Sequence, residues 1–419
     1  METSSQILGG KGIDRKAWIF ILITTFLGSL GIGLISPVAP FMISRYVTDS
    51  NSAGLILGWL TSAYAICQFI AAPGLGALSD RFGRRPILLI CLFGSAVGYL
   101  LLGIGGALWV LILGRIIDGL TGGNFSVTFA YVADLTPPDE RGKYFGWLGA
   151  FAGIGIILGP AIGGLVAKLG ISAPLYLAAA VTFANLLFGL FFMPESLSKA
   201  QRTPHIRITQ LNPFTILSKV ASMPQVRWLL LAGFMIALPM GALQGNIGLF
   251  AKDSLNWDAA AIGSIFVVVG ITDILVQGLL LQRLLKHFSE KLVAIGGMAG
   301  EMIGYLLIGS TAFIHSPIPL LIGTIIFAMG DGLIGPALNG LLSRGVDANA
   351  QGQVQGGNQA AQSLARTGGP LLGGALYDRV GHGSPYFAGS AIVVLAIAVI
   401  SMALPTLNRT IKPAESTSA

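Results

Sequence analysis

Charged residues are scarce in this sequence, at 10% of its 419 residues, whereas hydrophobic residues account for 53%. Soluble domains carry roughly 25% charged residues, so this composition excludes an ordinary soluble protein. The mean hydropathy of +0.77 agrees with that exclusion. The chain is therefore expected to be a polytopic membrane protein.

Cysteine and histidine are also rare, with two cysteines and four histidines in the whole chain. Cys67 and Cys91 both lie inside apolar runs, which excludes a disulfide scaffold and a cysteine-rich metal site. The histidines fall in separate predicted loops, so no metal cluster is predicted. Gly-x-Ser-x-Gly, His-Glu-x-x-His and Walker Gly-Lys-Ser/Thr sequences are absent, and the sequence therefore predicts neither an enzyme nor a cofactor.

Long apolar runs dominate the rest of the chain. Twelve of them are long enough to cross a hydrocarbon layer of about 30 Å. Their approximate bounds are 17–43, 53–78, 86–104, 107–132, 144–168, 173–193, 228–250, 259–285, 292–314, 318–342, 354–376 and 385–405. The first run is too long for a signal-peptide core and no cleavage pattern closes it, so we expect it to be a retained span.

Basic residues are distributed unevenly over the loops between these runs. With the N-terminus placed inside the cell, most of the 25 Lys and Arg residues fall in cytoplasmic loops, whereas Arg45, Lys168, Lys252 and Arg379 fall outside. Cationic loops resist translocation, so both termini are predicted to be cytoplasmic in a multi-pass cell-membrane protein. The net charge of +7 has the same origin and does not indicate nucleic-acid binding.

One long polar interval, 194–227, follows the sixth run and predicts a cytoplasmic linker. It separates an N-terminal part, 1–193, from a C-terminal part, 228–419, each with six runs. The two parts echo each other, since Pro37 stands as far from Pro239 as Gly76 from Gly278 and Arg81 from Arg283. Such a repeat predicts an all-α protein of two pseudo-symmetric six-helix bundles with a ligand site between them near the membrane midplane.

A short charged segment, Gly76–Leu89, separates the second and third runs and reads GALSDRFGRRPILL. Its three arginines indicate a turn on the cytoplasmic side. The pattern Gly-x-Leu-x-Asp-Arg-x-Gly-Arg-Arg resembles the signature loop of the major facilitator superfamily. The resemblance implies the major facilitator fold, whose two halves rock about a central cleft.

The same resemblance implies a gating role for this loop. Asp80 is expected to latch the cytoplasmic side in the outward-open state by binding an arginine or the positive N-terminus of a helix from the other half. A solvated loop charge is the alternative. Arg141, with Asp134, looks like the matching element after the fourth span. The predicted gating residues are Gly76, Asp80, Arg81, Gly83, Arg84, Arg85, Asp134 and Arg141.

The fifth span contains a dense group of small residues. Its glycines and proline predict a thin, kinked helix that packs closely against a neighbour and can roll on it. The string resembles the motif that marks antiporters in the superfamily, and Leu30–Pro40 resembles the first-span signature of its twelve-helix drug:proton antiporters. Ordinary helix packing is the alternative for both. The antiporter-helix residues are Gly155, Gly159, Pro160, Gly163 and Gly164.

Charged residues inside spans are costly and normally face a cavity or a partner. Arg115 and Asp118 stand three positions apart on one helical face of the fourth span, where they can pair. Arg115 matches the family's fourth-span arginine, for which the resemblance implies proton coupling; an internal ion pair that only fixes packing is the alternative. Four more charges, predicted to form a buried polar network in spans eight to eleven, are Asp273, Glu301, Asp331 and Arg366.

Glu301 has the most specific sequence context of these charges. The segment Gly297–Tyr305 is similar to the ninth span of tetracycline efflux proteins, with Glu301 at the position of their embedded carboxylate. A carboxyl in a low-dielectric site can hold a proton and release it when a cation approaches. The chain departs from those proteins in the first span, where Gly28 and Ser29 stand in place of an acid.

These features together predict a monomeric secondary transporter in the lipid bilayer. It would expel small amphipathic or cationic compounds in exchange for inward protons, with the six embedded charges as proton-coupling residues. A major facilitator exporter or uniporter of a sugar or other metabolite is the alternative.

Overall fold

The computed structural model describes residues 15–47, 52–122, 124–137, 140–203, 212–224, 226–344 and 351–410. Within these ranges the regular structure is helical, and the helices form twelve spans that follow the predicted apolar runs. In chain order the spans are Arg15–Ile35, Ala53–Phe82, Arg84–Ile104, Leu108–Thr121 with Asn124–Leu135, Arg141–Val166, Ala173–Phe192, Arg227–Leu255, Ala259–Leu275 with Val276–Leu280 and Leu281–His287, Glu290–Ile314, Pro317–Arg344, Gln351–Arg379 and Ser384–Thr410. We call them span 1 to span 12.

Three spans are interrupted where the sequence analysis predicted continuous helices. Span 1 ends at Ile35, and a separate short helix, Ala39–Ile43, follows Pro37, because proline lacks the N–H that an α-helix needs. The first helix of span 4 ends at Thr121, next to Gly122, because glycine has no side chain that restricts the backbone and readily ends a helix. Span 8 contains a π-helical turn at Val276–Leu280, a distortion often found near functional residues.

In the described ranges, ten helices are long and apolar enough to cross a membrane. The other two of the twelve spans do not meet the criteria of length and hydropathy, for reasons that the structure shows. Span 4 is divided into two shorter helices, and span 11 begins with the polar stretch Gln351–Arg366. Both still lie among the other spans, so the twelve-span prediction is confirmed.

The spans form two bundles with equivalent neighbours. In the first bundle, span 1 packs on spans 5 and 6, span 2 on span 4, and span 3 on spans 4 and 6. In the second, span 7 packs on spans 11 and 12, span 8 on span 10, and span 9 on spans 10 and 12. Because the pair 1–5 corresponds to 7–11, 2–4 to 8–10 and 3–6 to 9–12, the two bundles are pseudo-symmetric.

The bundles meet where span 2 crosses span 11 and where span 5 crosses span 8. At the first crossing a Cβ atom on Gly54 or on Gly374 would collide with the facing backbone. At the second, Gly164 lies against Ala259 and Gly263 against Pro160. These contacts all lie on one side of the membrane, which we call the sealed side.

The other side, which we call the linker side, carries the connection between spans 6 and 7. There a Cβ atom on Gly74 or Gly76 of span 2, Gly146 of span 5 or Gly278 of span 8 would have no neighbouring described atom within 4 Å. The close glycine contacts between the bundles described above therefore lie on the sealed side, whereas these linker-side glycines of spans 2, 5 and 8 have open space beside them.

A short linker helix, Pro213–Ala221, lies on the linker side and was not predicted. The Asn212 side chain caps it by accepting from the Phe214 N–H at 2.9 Å. The Phe214 ring packs edge-on against Phe69 of span 2, with centroids 5.4 Å apart, and the buried Val220 lies against Gly357 of span 11. The linker helix thus contacts both bundles.

A substitution in span 5 tests the close packing of the glycine face. Gly159→Val should destabilise the protein by about 1–3 kcal/mol because the new side chain would be driven into span 1 at Leu30 and Gly33. Gly149→Val is the matched control, since Gly149 lies on the same helix with open space beside it. Thermal unfolding of the purified protein should show a lower melting temperature for Gly159→Val than for Gly149→Val, and equal melting temperatures would contradict this packing.

Candidate functional site

The first bundle holds one pair of opposite charges in its interior, on span 4. Arg115 Nη1 lies 3.9 Å from Asp118 Oδ2, and Asp118 is 2% exposed. The two atoms are within ion-pair distance but too far apart for a hydrogen bond, and both lack a hydrogen-bond partner among the described residues. The predicted pairing is therefore present as a loose ion pair.

Span 2 supplies the surroundings of Arg115. Its guanidinium carbon lies 5.0 Å from the centre of the Tyr64 ring, and its Nε donates to the Leu60 carbonyl at 3.3 Å. Gln68 Nε2 donates to the Tyr64 hydroxyl at 3.1 Å and to the Gly122 carbonyl at 2.9 Å. These bonds tie span 2 to the break in span 4 and hold an aromatic face against the cation.

Tyr64 and Gln68 were not identified from the sequence. The sequence pattern that could have identified them is a tyrosine and a glutamine four positions apart, on one face of an otherwise apolar helix. Because polar side chains inside a span normally have a partner, this spacing indicates two candidate site residues.

A small cavity adjoins Asp118. Among its lining residues are Gly28 of span 1, Tyr64 of span 2, Ser95 and Tyr99 of span 3, and Thr182 of span 6. It admits water-sized spheres over about 20 Å³, which is room for about one water molecule. Gly28, one of the two first-span positions at which the sequence departs from the tetracycline efflux resemblance, thus lines the same cavity as Asp118.

The second bundle brings three carboxyl groups together. Glu301 of span 9 is fully buried, and neither of its carboxyl oxygens has a hydrogen-bond partner in the described part of the chain. Its side chain packs against Gly330 of span 10, next to Asp331. Asp331 is close enough to repel both Glu301 and Asp273 of span 8 electrostatically. The carboxyl groups therefore form one cluster across three spans.

The four predicted network residues differ in their access to solvent. Asp273 and Asp331 are half-buried, and Arg366 of span 11 is exposed while still interacting electrostatically with Asp331. The prediction that all four are buried is therefore wrong for Arg366, which lies on a face of span 11 that no neighbouring span covers. Glu301 is enclosed, whereas the two aspartates are partly accessible.

Burial of Glu301 has a direct chemical consequence. An ionised carboxylate without hydrogen bonds is costly in an apolar interior. The neighbouring Tyr305 hydroxyl also lacks a partner among described residues, and Tyr305 is enclosed by Phe327 and span 12. Glu301 is thus a buried carboxyl group without a polar partner among the described residues.

The predicted gating loop forms the turn between spans 2 and 3, and Gly83 makes that turn with a φ of +108°. Arg84 is the centre of the loop. Its side chain pairs with Asp80 at 2.5 Å and with Asp134 at 3.0 Å, and it donates to the Ser79 hydroxyl at 2.6 Å. Asp80 is thus paired within its own bundle.

Arg81, Arg85, Asp134 and Arg141 complete the set of predicted gating charges. Arg81 is exposed beside Phe82, and Arg85 donates to the Leu190 carbonyl at 2.6 Å. Asp134 pairs with Arg84, as described above. Arg141 instead donates to the Ala133 carbonyl at 3.0 Å.

Glu195, at the start of the linker, was missed by the sequence analysis. It accepts from the backbone N–H groups of Arg84 at 2.8 Å and Arg85 at 3.3 Å, where the positive N-terminus of span 3 favours an acid. It also lies 3.7 Å from Arg202. Because the Thr203 N–H donates to the Asp80 carbonyl at 3.0 Å, the first part of the linker fixes the gating loop to the first bundle.

The predicted antiporter helix, span 5, lies between span 1 and span 8. Gly155, Gly159 and Gly163 pack on the backbone of span 1, and the Pro160 ring lies against Gly33 of the same span. The Pro160 carbonyl and Gly164 instead face span 8 of the other bundle. Span 5 therefore presents one small-residue face to its own bundle and another to the opposite bundle.

Two six-helix bundles with embedded charges on either side of their boundary are the architecture of a secondary membrane transporter. A family model described as Major Facilitator Superfamily matches residues 21–370 and, in a second match, residues 229–419. The chain belongs to this superfamily.

Curated relatives cover nearly the full chain. The tetracycline resistance protein of class C from Escherichia coli is 36% identical over 94% of this chain and 97% of its own length. The class H protein from Pasteurella multocida is 36% identical over 87% and 90%, and multidrug resistance protein 2 of Bacillus subtilis is 31% identical over 92% and 95%. The resemblance to tetracycline efflux proteins is therefore confirmed.

Solved structures share the fold at lower identity. A bacterial homologue of the human lysosomal transporter Spinster, in an inward-facing and occupied conformation, has a TM-score of 0.78 at 14% identity and covers 97% of this chain and all of its own. The D-xylose-proton symporter has a TM-score of 0.74 at 20% identity, with 94% and 98% covered. These likenesses concern the fold alone, and they confirm it.

A double-mutant cycle tests whether Arg115 and Asp118 interact. Asp118→Asn should destabilise the protein because it leaves the Arg115 charge buried without a counter-charge. The combination with Arg115→Gln should cost less than the sum of the two single changes, by about 0.5–3 kcal/mol. Chemical unfolding of the purified protein measures the cycle, and additive costs would mean that the two charges are independent.

Proposed function

We propose that this protein expels small amphipathic or cationic compounds from the cell in exchange for protons that enter. The observation that carries the proposal is the fully buried, unpartnered Glu301 next to the half-buried Asp331. Such a carboxyl holds a proton in its neutral form and gives it up when a cation enters its surroundings. The relatives named for tetracycline and multidrug resistance support export of drug-like cargo.

The exchange needs competition between proton and cargo for the same carboxyl cluster. A cation near Asp273 and Asp331 would replace their mutual repulsion by attraction, and the proton on Glu301 could then leave. After the cargo departs on the other side of the membrane, a new proton restores neutrality. Arg115 and Asp118 in the first bundle form a second charge pair that a proton entering the small cavity can break.

Alternating access supplies the movement. We propose that the linker side is cytoplasmic, that both termini lie there, and that the structure is an inward-facing state. The basic loop residues support this orientation. The open linker side and sealed opposite side support the inward-facing assignment, with residues 1–193 and 228–419 moving as two bodies joined by the linker.

In the opposite state we expect the gating loop to change partners. Asp80 now pairs with Arg84, and closure of the linker side would bring the polar start of span 11 towards it. Span 5 would then roll along its glycine faces. We propose that the protein works as a single chain in the cell membrane, without a metal or cofactor, without nucleic acid and without catalysing a reaction.

A sugar or metabolite exporter, the alternative interpretation, is less well supported. The relatives named above are resistance proteins, and the embedded carboxyl cluster suits a cation better than a neutral polyol. The cavity beside Gly28, at the place where the first span departs from the tetracycline efflux resemblance, favours a cargo range that differs from theirs.

Glu301 is the first residue to test. Glu301→Gln should abolish proton-driven uptake of a cationic dye into inverted vesicles, because the amide cannot exchange a proton, while dye binding to the purified protein remains. Glu290→Gln is the control, since it removes an acid from the same span near its linker-side end. If Glu301→Gln transports the dye as well as the parent protein does, Glu301 is not part of the mechanism. If dye transport by the parent protein does not depend on the proton gradient, antiport is contradicted.

Drug susceptibility of cells with and without the protein tests the class of cargo. Expression should raise the inhibitory concentration of several amphipathic cations severalfold, and the effect should disappear when the proton gradient is collapsed. Tetracycline belongs in the panel beside sugars and sugar analogues. Protection against none of the compounds, together with altered sugar accumulation, would favour the alternative.

A further inference from the structure

We propose that Asp378, near the end of span 11, is the latch that holds the sealed side shut by capping the first turn of span 2 in the other bundle. Asp378 Oδ1 accepts from the Gly54 N–H at 2.9 Å, and Oδ2 accepts from the Leu55 N–H at 2.7 Å. Span 2 begins at Ala53, and Ser52 provides no side-chain cap. The carboxylate therefore supplies from another bundle the acceptor that a helix start normally finds in its own sequence.

Two kinds of interaction favour this contact. Each oxygen of the carboxylate receives a charge-assisted hydrogen bond, and the negative charge lies at the positive end of the span 2 dipole. The close approach of the backbones makes both possible. A Cβ atom on Gly54 would collide with Asp378 and Gly374, and one on Gly374 would collide with the Gly54 carbonyl.

Asp378 is held in position by its own bundle. The neighbouring Tyr377 is almost fully buried, and its hydroxyl donates to Asp253 Oδ2 of span 7 at 2.8 Å. The Tyr377 ring also stacks on His382, with centroids 4.5 Å apart. The end of span 11 is thus anchored to span 7, and Asp378 moves with the second bundle as a unit.

The pseudo-symmetry of the fold makes this arrangement unusual. Span 8 corresponds to span 2, and its first turn is capped by Asp258 from its own N-terminus, which accepts from the Ala261 N–H at 2.8 Å. One bundle therefore caps its helix locally, and the other depends on its partner. Only the second kind of cap is lost when the bundles separate.

The latch consequently favours one state of the transporter. While the sealed side is closed, Asp378 and the first turn of span 2 satisfy each other. Opening of that side pulls them apart and leaves both to water. This inference rests on the alternating access proposed above, and it is independent of the cargo and of proton coupling.

Thiol labelling of the interface tests the latch. Ser62 is fully buried where its hydroxyl donates to the Thr367 carbonyl of span 11 at 2.6 Å, so a cysteine at that position reacts only when spans 2 and 11 separate. In the full-length protein with Cys67 and Cys91 replaced by Ala, Asp378→Ala should raise the labelling rate of Ser62→Cys about tenfold, the size expected for losing a hydrogen bond to a charged group. Asp378→Asn, which keeps the shape but removes the charge, should raise it less.

Two controls decide between a latch and a general loss of stability. Asp258→Ala removes a cap of the same chemistry that lies within one bundle, and it should leave the Ser62→Cys rate within about twofold of the parent. Cys91 is fully buried inside the first bundle, so its labelling in a protein that retains it reports unfolding. An unchanged Ser62→Cys rate in Asp378→Ala, or an equal rise at Cys91, would overturn the latch. If the parent protein does not export the dye but Asp378→Ala selectively raises the labelling rate of Ser62→Cys, the proposed function is contradicted and the latch is still supported.

Discussion

Backbone contact between helices of different bundles is the interaction on which the rest of the structure depends. In lipid, apolar side chains gain little from meeting one another, and helices associate through close packing at small residues. Here the close contacts occur at Gly54, Gly374, Gly164 and Gly263, all towards the sealed side. The same spans carry glycines without neighbours towards the linker side. The tight contacts between the bundles are thus concentrated at one end of their boundary.

The two bundles use their embedded charges differently. In the first, a cation and an anion lie on one helix and compensate each other, with Tyr64 covering the cation. In the second, Asp331 interacts electrostatically with an acid on each of two other helices, and the nearby arginine is exposed. The first arrangement can be satisfied without any ligand. The second carries an excess of negative charge unless protons or cations bind, which is the property that an exchanger of cations for protons requires.

Much of this architecture could be predicted from the sequence because its causes are local. Apolar runs of span length, basic loops and the charged turn at 76–89 each consist of residues that are neighbours in the sequence. They were therefore sufficient to predict the twelve spans and the family. The embedded charges were also visible, since a charged residue inside an apolar run is conspicuous. Their grouping in space, with Glu301 beside Asp331, depends on which spans are neighbours.

Contacts between distant segments account for what the sequence analysis missed or got wrong. Glu195 caps span 3 from more than a hundred positions away, and Arg84 pairs with Asp134 from 50 positions away. Gln68 bonds to a carbonyl that is free only because span 4 breaks next to Gly122. No pattern within one segment encodes such pairings. The exposure of Arg366 has the same origin, since it depends on which face of span 11 the other helices cover.

The linker helix affects how closely spans 2 and 11 can approach each other on the linker side. With Phe214 against span 2 and Val220 against span 11, it stands as a spacer between the two spans that must converge if the molecule is to close there. If these two spans approach each other there, the linker helix has to be displaced or its Phe214 and Val220 contacts have to be rearranged. The linker therefore both joins the two bundles and occupies space between spans 2 and 11.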